Sequence, residues 1–340
     1  MNKDPERREE ELLLKENVVE RGVVPVWVVC VCACLTAGTL LAAGAVDRRL
    51  PEPLPTDAPA QLFSAERAYE HLINLTSIGP RVAGSYENEV LAVRQLVSAA
   101  RSVAAAASQH NLVDYDVFTA SGAFSLTFLD GMTNIYRDVQ SVVIRIRGAG
   151  EASGPGRGTR PGPPAALLIN CHFDTVPDSP GASDDGAGCA VALETARALA
   201  ASRRPLRHRV LVLLNGAEEN ILQASHAFVS GHAWARGARA FINIEACGAG
   251  GREVLFQAGP HDPWIVEVYA GAVPHPFASS LAQELFESGL IPADTDFRIF
   301  RDYGNMSGER RHASPLPAPR SPSVDIQPNG HYSIIIYSLV

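Results

Sequence analysis

Three short apolar runs, at residues 165–170, 209–214 and 240–244, constrain the fold of this chain most strongly. Each has the length of a buried strand and is bounded by turn-forming or polar residues. Helical patterns at 186–201 and 223–235 follow the first and second runs. Strands and helices in this order predict an α/β fold, a three-layer sandwich with a mostly parallel central sheet.

Other elements are predicted on both sides of this core. Ser64 precedes a helical pattern at 64–73 and suits its N-cap. The alternation at 142–147 predicts a strand, and the Gly- and Pro-rich stretch at 148–164 predicts a loop. The remaining predictions are helices at 87–107, 263–270 and 279–288 and a strand at 253–257.

Polar residues follow each of the three central strands. Because parallel strands place their carboxyl ends at one edge of a sheet, these side chains are expected to face a common crevice. They are His172 and Asp174 after the first strand, Glu218 and Glu219 after the second, Glu245 after the third, and Asp184 on the loop before the next helix.

Imidazole and carboxylate groups in this arrangement favour a zinc site. His172 offers a neutral ring nitrogen, Asp184 offers two oxygens that can bridge two ions, and Glu245 offers a further carboxylate. Zinc accepts both kinds of ligand, and catalytic zinc sites keep one position open for water. Such a site can polarise a carbonyl group and activate water for amide hydrolysis.

The remaining acidic residues suit the other roles of a hydrolytic site. Asp174 can accept the second ring N–H of His172 and fix its tautomer. Glu218 and Glu219 are adjacent, so their side chains diverge. One can bind metal while the other removes a proton from water and delivers it to the leaving amine.

Each of these motifs also has a structural interpretation. A His-x-Asp pair and an adjacent Glu pair are often solvated surface groups, and Asp184 with Asp185 can cap the following helix. Those interpretations leave unexplained why all the motifs follow successive strands. Their joint occurrence favours the metal site.

Residues 62–304 resemble the zinc-dependent aminopeptidase family with two co-catalytic metals. The polar motifs match in order and spacing, as do Gly-Pro-Arg-Val-Ala-Gly-Ser at 79–85 and Thr-Asp-Phe at 295–297. Within that family the resemblance is to peptidases of the endoplasmic reticulum membrane.

The resemblance implies a zinc aminopeptidase fold, two zinc ions and a role for each residue. His172 and Glu245 would bind one zinc, Glu219 would bind the other, and Asp184 would bridge them. Glu218 would be the general base, and Asp174 would orient His172. The family usually has Asp where Glu245 stands.

The chain departs from the family near its end. The family's last metal ligand is a His in a Tyr-His-Thr-like segment, and here the later histidines, His312 and His331, have other neighbours. Residues 306–340 are therefore expected to be a low-complexity, disordered tail, and 62–305 an incomplete peptidase domain of a shortened form. We expect one zinc ion or fewer and impaired activity.

An uncharged run at residues 23–46 is 24 residues long. That is about 36 Å of helix, enough to cross a bilayer, and it exceeds the apolar core of a cleaved signal peptide, the rival interpretation. Five basic residues precede the run, which favours a cytoplasmic N-terminal tail at 1–22. A stalk at 47–61 would then lead into a lumenal domain.

Sequons at Asn74 and Asn305 agree with a lumenal domain. A net charge of −8 argues against nucleic acid as a partner. The expected partners are a peptide substrate and the membrane, through residues 23–46. The sequence leaves open the substrate side chain, the oligomeric state and any disulfide among Cys171, Cys189 and Cys247.

The sequence leaves three functions open. The first is a membrane-anchored zinc metallopeptidase, which we expect to be an exopeptidase. The second is a non-catalytic interaction or scaffold protein that retains the fold; replacing Glu218 with Gln would leave its effect unchanged. The third is a glutaminyl cyclase-like acyltransferase, which would act on amino-terminal glutamine.

Overall fold

The computed structural model describes most of the chain. Its described residues are 24–47, 52–126, 131–151, 163–246, 253–259, 264–274, 276–288, 294–304 and 332–337. The chain divides into two compact units, Met1–Glu52 and Pro53–Val340.

The first unit contains one long apolar helix, α1 (Val26–Asp47). Its residues Val26–Val46 are long and apolar enough to cross a membrane, and they are not buried within the protein. The predicted uncharged run is therefore helical over nearly its whole length.

The second unit is built on a single sheet. Among the described residues, its strands are β1 (Asn111–Leu126), β2 (Met132–Gly148), β3 (Ala166–His172), β4 (Arg209–Asn215), β5 (Ala238–Glu245), β6 (Val254–Ala258) and β7 (Tyr332–Tyr337). The strand order is β1-β2-β4-β3-β5-β7-β6. Strands β4, β3, β5 and β7 run parallel, and antiparallel pairs lie at both edges.

Helices cover both faces of this sheet. They are α2 (Ala65–Thr76), α3 (Val93–Ala105), α4 (Gly188–Ala200), α5 (Gln223–Gly231), α6 (Trp264–Ala272), α7 (Ser280–Glu287) and α8 (Asp296–Asp302). Helix α2 begins as expected, since the Ser64 side chain accepts a hydrogen bond from the Arg67 amide.

Alternate residues of each central strand enter opposite layers of the core. Val142, Ile144 and Val212 pack with side chains of α3 and α4 on one face. Val143 and Leu211 pack with side chains of α5 and α8 on the other. Because neighbouring strand residues point to opposite faces, one sheet supports two helical layers. This confirms the predicted three-layer α/β fold.

The long hairpin of β1 and β2 goes beyond the sequence prediction, which placed one strand at 142–147. β1 has 16 residues and β2 has 17. Asp114 interrupts the apolar alternation of β1, yet its carboxylate lies 2.8 Å from Arg145 of β2. A cross-strand ion pair of this kind stabilises an edge strand whose sequence pattern is weak.

Strand β7 also differs from the expectation of a disordered tail. Its backbone lies between β5 and β6 and pairs with both. The rest of the 306–340 segment lies outside the described residues.

The segment predicted as a stalk is hydrogen-bonded to the domain. Arg67 donates to the carbonyl oxygens of Thr56 (2.6 Å) and Ala58 (3.0 Å), and Arg197 donates to that of Ala60 (2.5 Å). Both guanidinium groups pair with the fully buried carboxylate of Glu194. Residues 54–62 are thus fixed to α2 and α4.

Candidate metal centre

The carboxyl ends of three neighbouring strands meet at one edge of the sheet. β3 ends at His172, whose partner in the register is Asn215 at the end of β4. β5 pairs with the other side of β3 and ends at Glu245. The crevice outside these strand ends is where α/β sheets of this kind bind ligands.

The side chains of His172, Asp184 and Glu245 converge in this crevice. His172 Nε2 lies 3.0 Å from Asp184 Oδ1 and 3.2 Å from Glu245 Oε1. The three potential ligand atoms lie within 4.8 Å of one another. His172 and Glu245 are buried, whereas the Asp184 side chain is 55% exposed. The cluster therefore has a buried floor and one side open to solvent.

Two carboxylate oxygens near this cluster have no partner among the described residues. They are Glu245 Oε2 and Glu219 Oε1, and both are buried. A buried carboxylate oxygen without a donor is unfavourable unless a cation meets it. One imidazole nitrogen with several carboxylate oxygens is a donor set that zinc accepts. The residues present therefore fit a zinc ion.

Asp174 joins the His172 loop to the glutamate loop. Its carboxylate accepts hydrogen bonds of 3.0 Å from the backbone amides of both Glu218 and Glu219. His172 Nδ1 lies 3.2 Å from the Asp174 carbonyl oxygen and 3.4 Å from its carboxylate. Asp174 thus contacts the histidine ring and also fixes the backbone that carries the glutamate pair.

Asp185 holds the backbone of His172 in place, a contact that the sequence did not predict. Its buried carboxylate accepts hydrogen bonds from the backbone amides of His172 (3.2 Å) and Gly188 (3.1 Å). The second bond satisfies the backbone amide of Gly188, the first residue of α4, which has no partner within the helix. The Asp-Asp-Gly sequence indicated a contact at the helix start, but the contact with His172 depends on the tertiary fold.

Arg81 lies in the connector that resembles the family's early segment, and it is fully buried. It donates to the carbonyl oxygens of Phe173 (2.7 Å), Pro180 (2.7 Å) and Gly79 (3.0 Å). Phe173 follows His172, and Pro180 begins the loop that carries Asp184. One side chain therefore joins the two segments that present these residues.

A buried amide network lies beside the strand ends. Asn170 and Asn215 donate to Asp296 Oδ2 at 2.9 Å and 2.7 Å, and Asn170 also donates to Asn243 at 2.6 Å. Burial raises the pKa of Asp296 to about 6. Asp296 begins α8, where Thr295 is the N-cap. The aspartate of the Thr-Asp-Phe segment thus contacts β3 and β4 directly, and Asn170 extends the network to β5.

The electrostatics of the cluster favour proton binding in the absence of a cation. Burial alone would lower the pKa of His172, but the carboxylates of Glu245, Asp174 and Asp184 raise it well above its usual value. Burial raises the pKa of Glu218 well above its usual value, and nearby carboxylates add to the shift. Burial likewise raises the pKa of Glu219 to about 7. Glu219 therefore exchanges protons near neutral pH, and the raised pKa of the Glu218 carboxyl suits acid–base chemistry.

The other sequence-predicted residues are placed as follows. Asn74 is exposed on α2, and Asn305 lies outside the described residues. Cys171 and Cys189 are buried free thiols beside the site, and Cys189 Sγ lies 3.1 Å from the His172 carbonyl oxygen. Cys247 also lies outside the described part of the chain.

Sequence comparison identifies relatives of this chain. Residues 155–313 match Peptidase family M28. Endoplasmic reticulum metallopeptidase 1 of Mus musculus is 48% identical over 246 residues, which cover 72% of this chain and 26% of the relative. The same protein of Homo sapiens is also 48% identical over 246 residues, with the same coverage. The chain thus spans about a quarter of the length of these relatives.

The fold also resembles solved structures. The zinc aminopeptidase BSAP of Bacillus subtilis has a TM-score of 0.50 at 14% identity, covering 82% of this chain and 86% of that one. At this identity the likeness shows the fold alone. The family match and the two relatives show that the chain carries a domain of peptidase family M28 and is a homologue of endoplasmic reticulum metallopeptidase 1.

Proposed function

We propose that this chain binds zinc through His172, Asp184 and Glu245 and hydrolyses peptide bonds. The convergence of these three side chains within 4.8 Å carries the proposal. The homology to metallopeptidases supports the same activity. A bound zinc ion would supply Lewis acidity for the attack of water on an amide carbonyl.

Glu218 is the general base of the proposed reaction. It follows the strand end that faces the cluster, and its backbone amide is held by Asp174 at 3.0 Å. Its raised pKa allows it to take a proton from the attacking water and to deliver that proton to the leaving amine. Asp174 contacts both the histidine ring and the backbone of the glutamate loop, so it fixes their positions relative to each other.

The second zinc site of the family is weak in this chain. Glu219 and Asp184 would be its ligands, and within the described residues the single three-ligand cluster is the one around His172. Two carboxylates alone compete poorly with water for zinc. We therefore propose one zinc per chain and a hydrolytic rate below that of a two-zinc peptidase.

The chain is proposed to reside in the endoplasmic reticulum membrane. Helix α1 supplies a span of suitable length, and the relatives' names place them in that compartment. The basic residues before α1 favour a cytoplasmic N-terminus and a lumenal metal site. Glycosylation of the exposed Asn74 would accompany that orientation.

Hydrolysis of short peptides by the purified, zinc-loaded full chain tests the activity. We expect slow release of the amino-terminal residue, loss of activity on chelation and recovery on adding zinc. Glu218→Gln should reduce the rate by about 10²–10⁴-fold while zinc remains bound. An equal rate in Glu218→Gln would contradict the assignment of the base. Absence of hydrolysis with zinc bound would favour the scaffold alternative, and cyclisation of amino-terminal glutamine would favour the acyltransferase.

A further inference from the structure

A cavity lies at the end of α4 remote from the metal centre. Its volume is about 490 Å³, within the range of small-molecule binding sites. The last turns of α4 and the loop after it line the cavity, together with Gln61 and Phe63. About 15 Å of helix separate Ala198, in the lining, from Gly188, which contacts Asp185 at the metal centre. The cavity is therefore distinct from the proposed zinc site.

The lining combines apolar and cationic side chains. Phe63, which is 39% exposed, and the half-buried Leu199 supply apolar surface. Arg203 and Arg204 are both exposed and supply two positive charges. An anion that carries an apolar group is complementary to both parts of this lining.

The two arginines are not neutralised by carboxylates. Among the described residues, neither Arg203 nor Arg204 forms an ion pair. By contrast, Arg67 and Arg197 both pair with the buried Glu194. Adjacent like charges repel, so an anion that contacts both side chains stabilises them. The charge of the lining therefore favours an anionic ligand.

The end of α4 does not need these arginines as caps. Basic residues after a helix often compensate its last carbonyl groups, but here backbone amides do so. Leu199 O accepts from the amide of Ser202 at 3.1 Å. Ala200 O accepts from the amide of Ser108 at 3.0 Å. Both guanidinium groups thus remain available to a ligand.

The loop that carries the two arginines is fixed in advance. The buried Asn111 side chain donates to Ser202 O at 3.2 Å and to Arg204 O at 3.1 Å. It also accepts from the Leu206 amide at 2.9 Å. A Cβ atom on Gly148 of β2 would lie 2.5 Å from Leu206 O, so the loop packs directly on that strand. A preorganised backbone reduces the entropy lost when a ligand binds.

We propose that this cavity binds the phosphate headgroup of an anionic membrane lipid. Arg203 and Arg204 donate charge-assisted hydrogen bonds to the phosphate oxygens. The glycerol and the first methylene groups of the lipid contact Phe63 and Leu199, which removes apolar surface from water. This binding site is additional to the proposed hydrolysis.

The choice of a lipid over a free phosphate rests on the proposed membrane residence. Only seven positions of the sequence separate Asp47, the end of α1, from Leu54. Residues 54–62, which lead to the cavity lining, are fixed to α2 and α4. A chain anchored by α1 therefore meets lipid headgroups at high local concentration.

Binding of short-chain lipids to the full chain in dodecyl maltoside tests the site, since that detergent carries no phosphate. The probes are dihexanoyl phosphatidic acid, dihexanoyl phosphatidylcholine, inorganic phosphate and a decaglutamate peptide. Calorimetry without added zinc measures each affinity. Zinc content and peptide hydrolysis are measured separately, so failure of the proposed function leaves this test intact.

Two changes alter the cavity in different ways. The double variant Arg203→Gln/Arg204→Gln removes its charge, and Ala198→Phe fills its volume without changing the charge. The control Arg94→Gln/Arg236→Gln removes the same charge from exposed positions outside the lining. Thermal unfolding of each variant shows that the fold persists.

We expect phosphatidic acid to bind at least about tenfold more tightly than phosphatidylcholine or inorganic phosphate. The Arg203→Gln/Arg204→Gln variant should weaken that binding about 30-fold. Ala198→Phe should weaken it about tenfold, because the added ring occupies the space of the ligand. The control pair should keep the parent affinity within about twofold.

Several outcomes would overturn the inference. Phosphatidic acid that fails to bind the folded parent, or whose affinity survives both cavity changes, would show that the cavity holds no lipid. An equal loss in the control pair would indicate attraction to net charge alone. Inorganic phosphate bound as tightly as the lipid would assign the cavity to a small anion, and a preference for decaglutamate would assign it to an acidic protein segment.

Discussion

The Arg81 guanidinium donates a 2.7 Å hydrogen bond to the carbonyl oxygen of Phe173, the residue that follows His172. Its Nη1 donates to the carbonyl oxygens of Pro180 and Gly79. The early connector, the histidine loop and the Asp184 loop therefore all contact one guanidinium group. A buried guanidinium satisfies several carbonyl oxygens at once, which few other side chains can do. The proposed zinc ligands therefore depend on a residue that is not itself a ligand.

Replacing Arg81 with Met should destabilise the domain and weaken zinc binding. Several buried carbonyl oxygens would lose their donor, which predicts a loss of about 3 kcal/mol or more in the free energy of unfolding. Urea unfolding and competition with a zinc chelator measure the two effects. Arg94→Met is the control, because Arg94 is exposed on α3. Equal zinc affinity in Arg81→Met and the parent would contradict the positioning role.

Glu194 is predicted to be essential for the attachment of residues 54–62. It is fully buried and pairs with Arg67 at 3.0 Å and Arg197 at 2.5 Å. Removing one partner leaves buried charges unpaired, so Glu194→Ala should lower the free energy of unfolding by about 3–5 kcal/mol. Proteolytic cleavage within 54–62 should accelerate in parallel. Glu70→Ala is the control, because Glu70 is exposed. It should change neither the free energy of unfolding nor the rate of cleavage within 54–62.

The same carboxylate predicts a loss of stability in acid. Burial alone would raise the pKa of Glu194, but hydrogen bonds from Arg197, Ser64 and Arg67 lower it below its usual value. A depressed carboxyl pKa stabilises the fold above the unfolded-state value of about 4.3 and loses that contribution as pH falls through the folded value. Unfolding midpoints measured between about pH 7 and pH 3 should therefore fall more for the parent than for Glu194→Gln.

Zinc affinity should rise with pH. In the metal-free protein the pKa of His172 is raised, because three carboxylates outweigh the effect of burial. Protonated His172 therefore stabilises the metal-free fold below its unfolded-state pKa, and this stabilisation is lost as pH rises through the higher folded value. Zinc requires the neutral ring, so below that value affinity should increase roughly tenfold per pH unit for one released proton.

Calorimetry in buffers of different ionisation enthalpy measures that proton release directly. The His110→Gln variant should behave as the parent does, since His110 precedes β1 and is remote from the strand ends in the topology. An affinity that stays constant between about pH 6 and pH 8 would show that His172 does not bind the metal.

Local patterns predicted the centre of this fold and the composition of the site. Strands β3, β4 and β5 are buried on both faces, so they read as short apolar runs, and the polar residues after them identify the crevice. Helix α2 and its Ser64 cap were also predictable, because a cap acts within one turn.

Contacts between distant segments were not predictable in this way. Arg81 and Asp185 reach the His172 segment through backbone groups, and any sequence offers such groups at every position. The β1–β2 hairpin was missed because polar residues such as Asp114 obscure its alternation, and their partners lie on the opposite strand.

The zinc content of the purified full chain tests the central claim most directly. After loading and dialysis, elemental analysis should find about one zinc per chain, and His172→Ala and Glu245→Ala should each lose it while Asn74→Gln keeps it. Zinc absent from the parent, or retained in full by His172→Ala, would contradict the account.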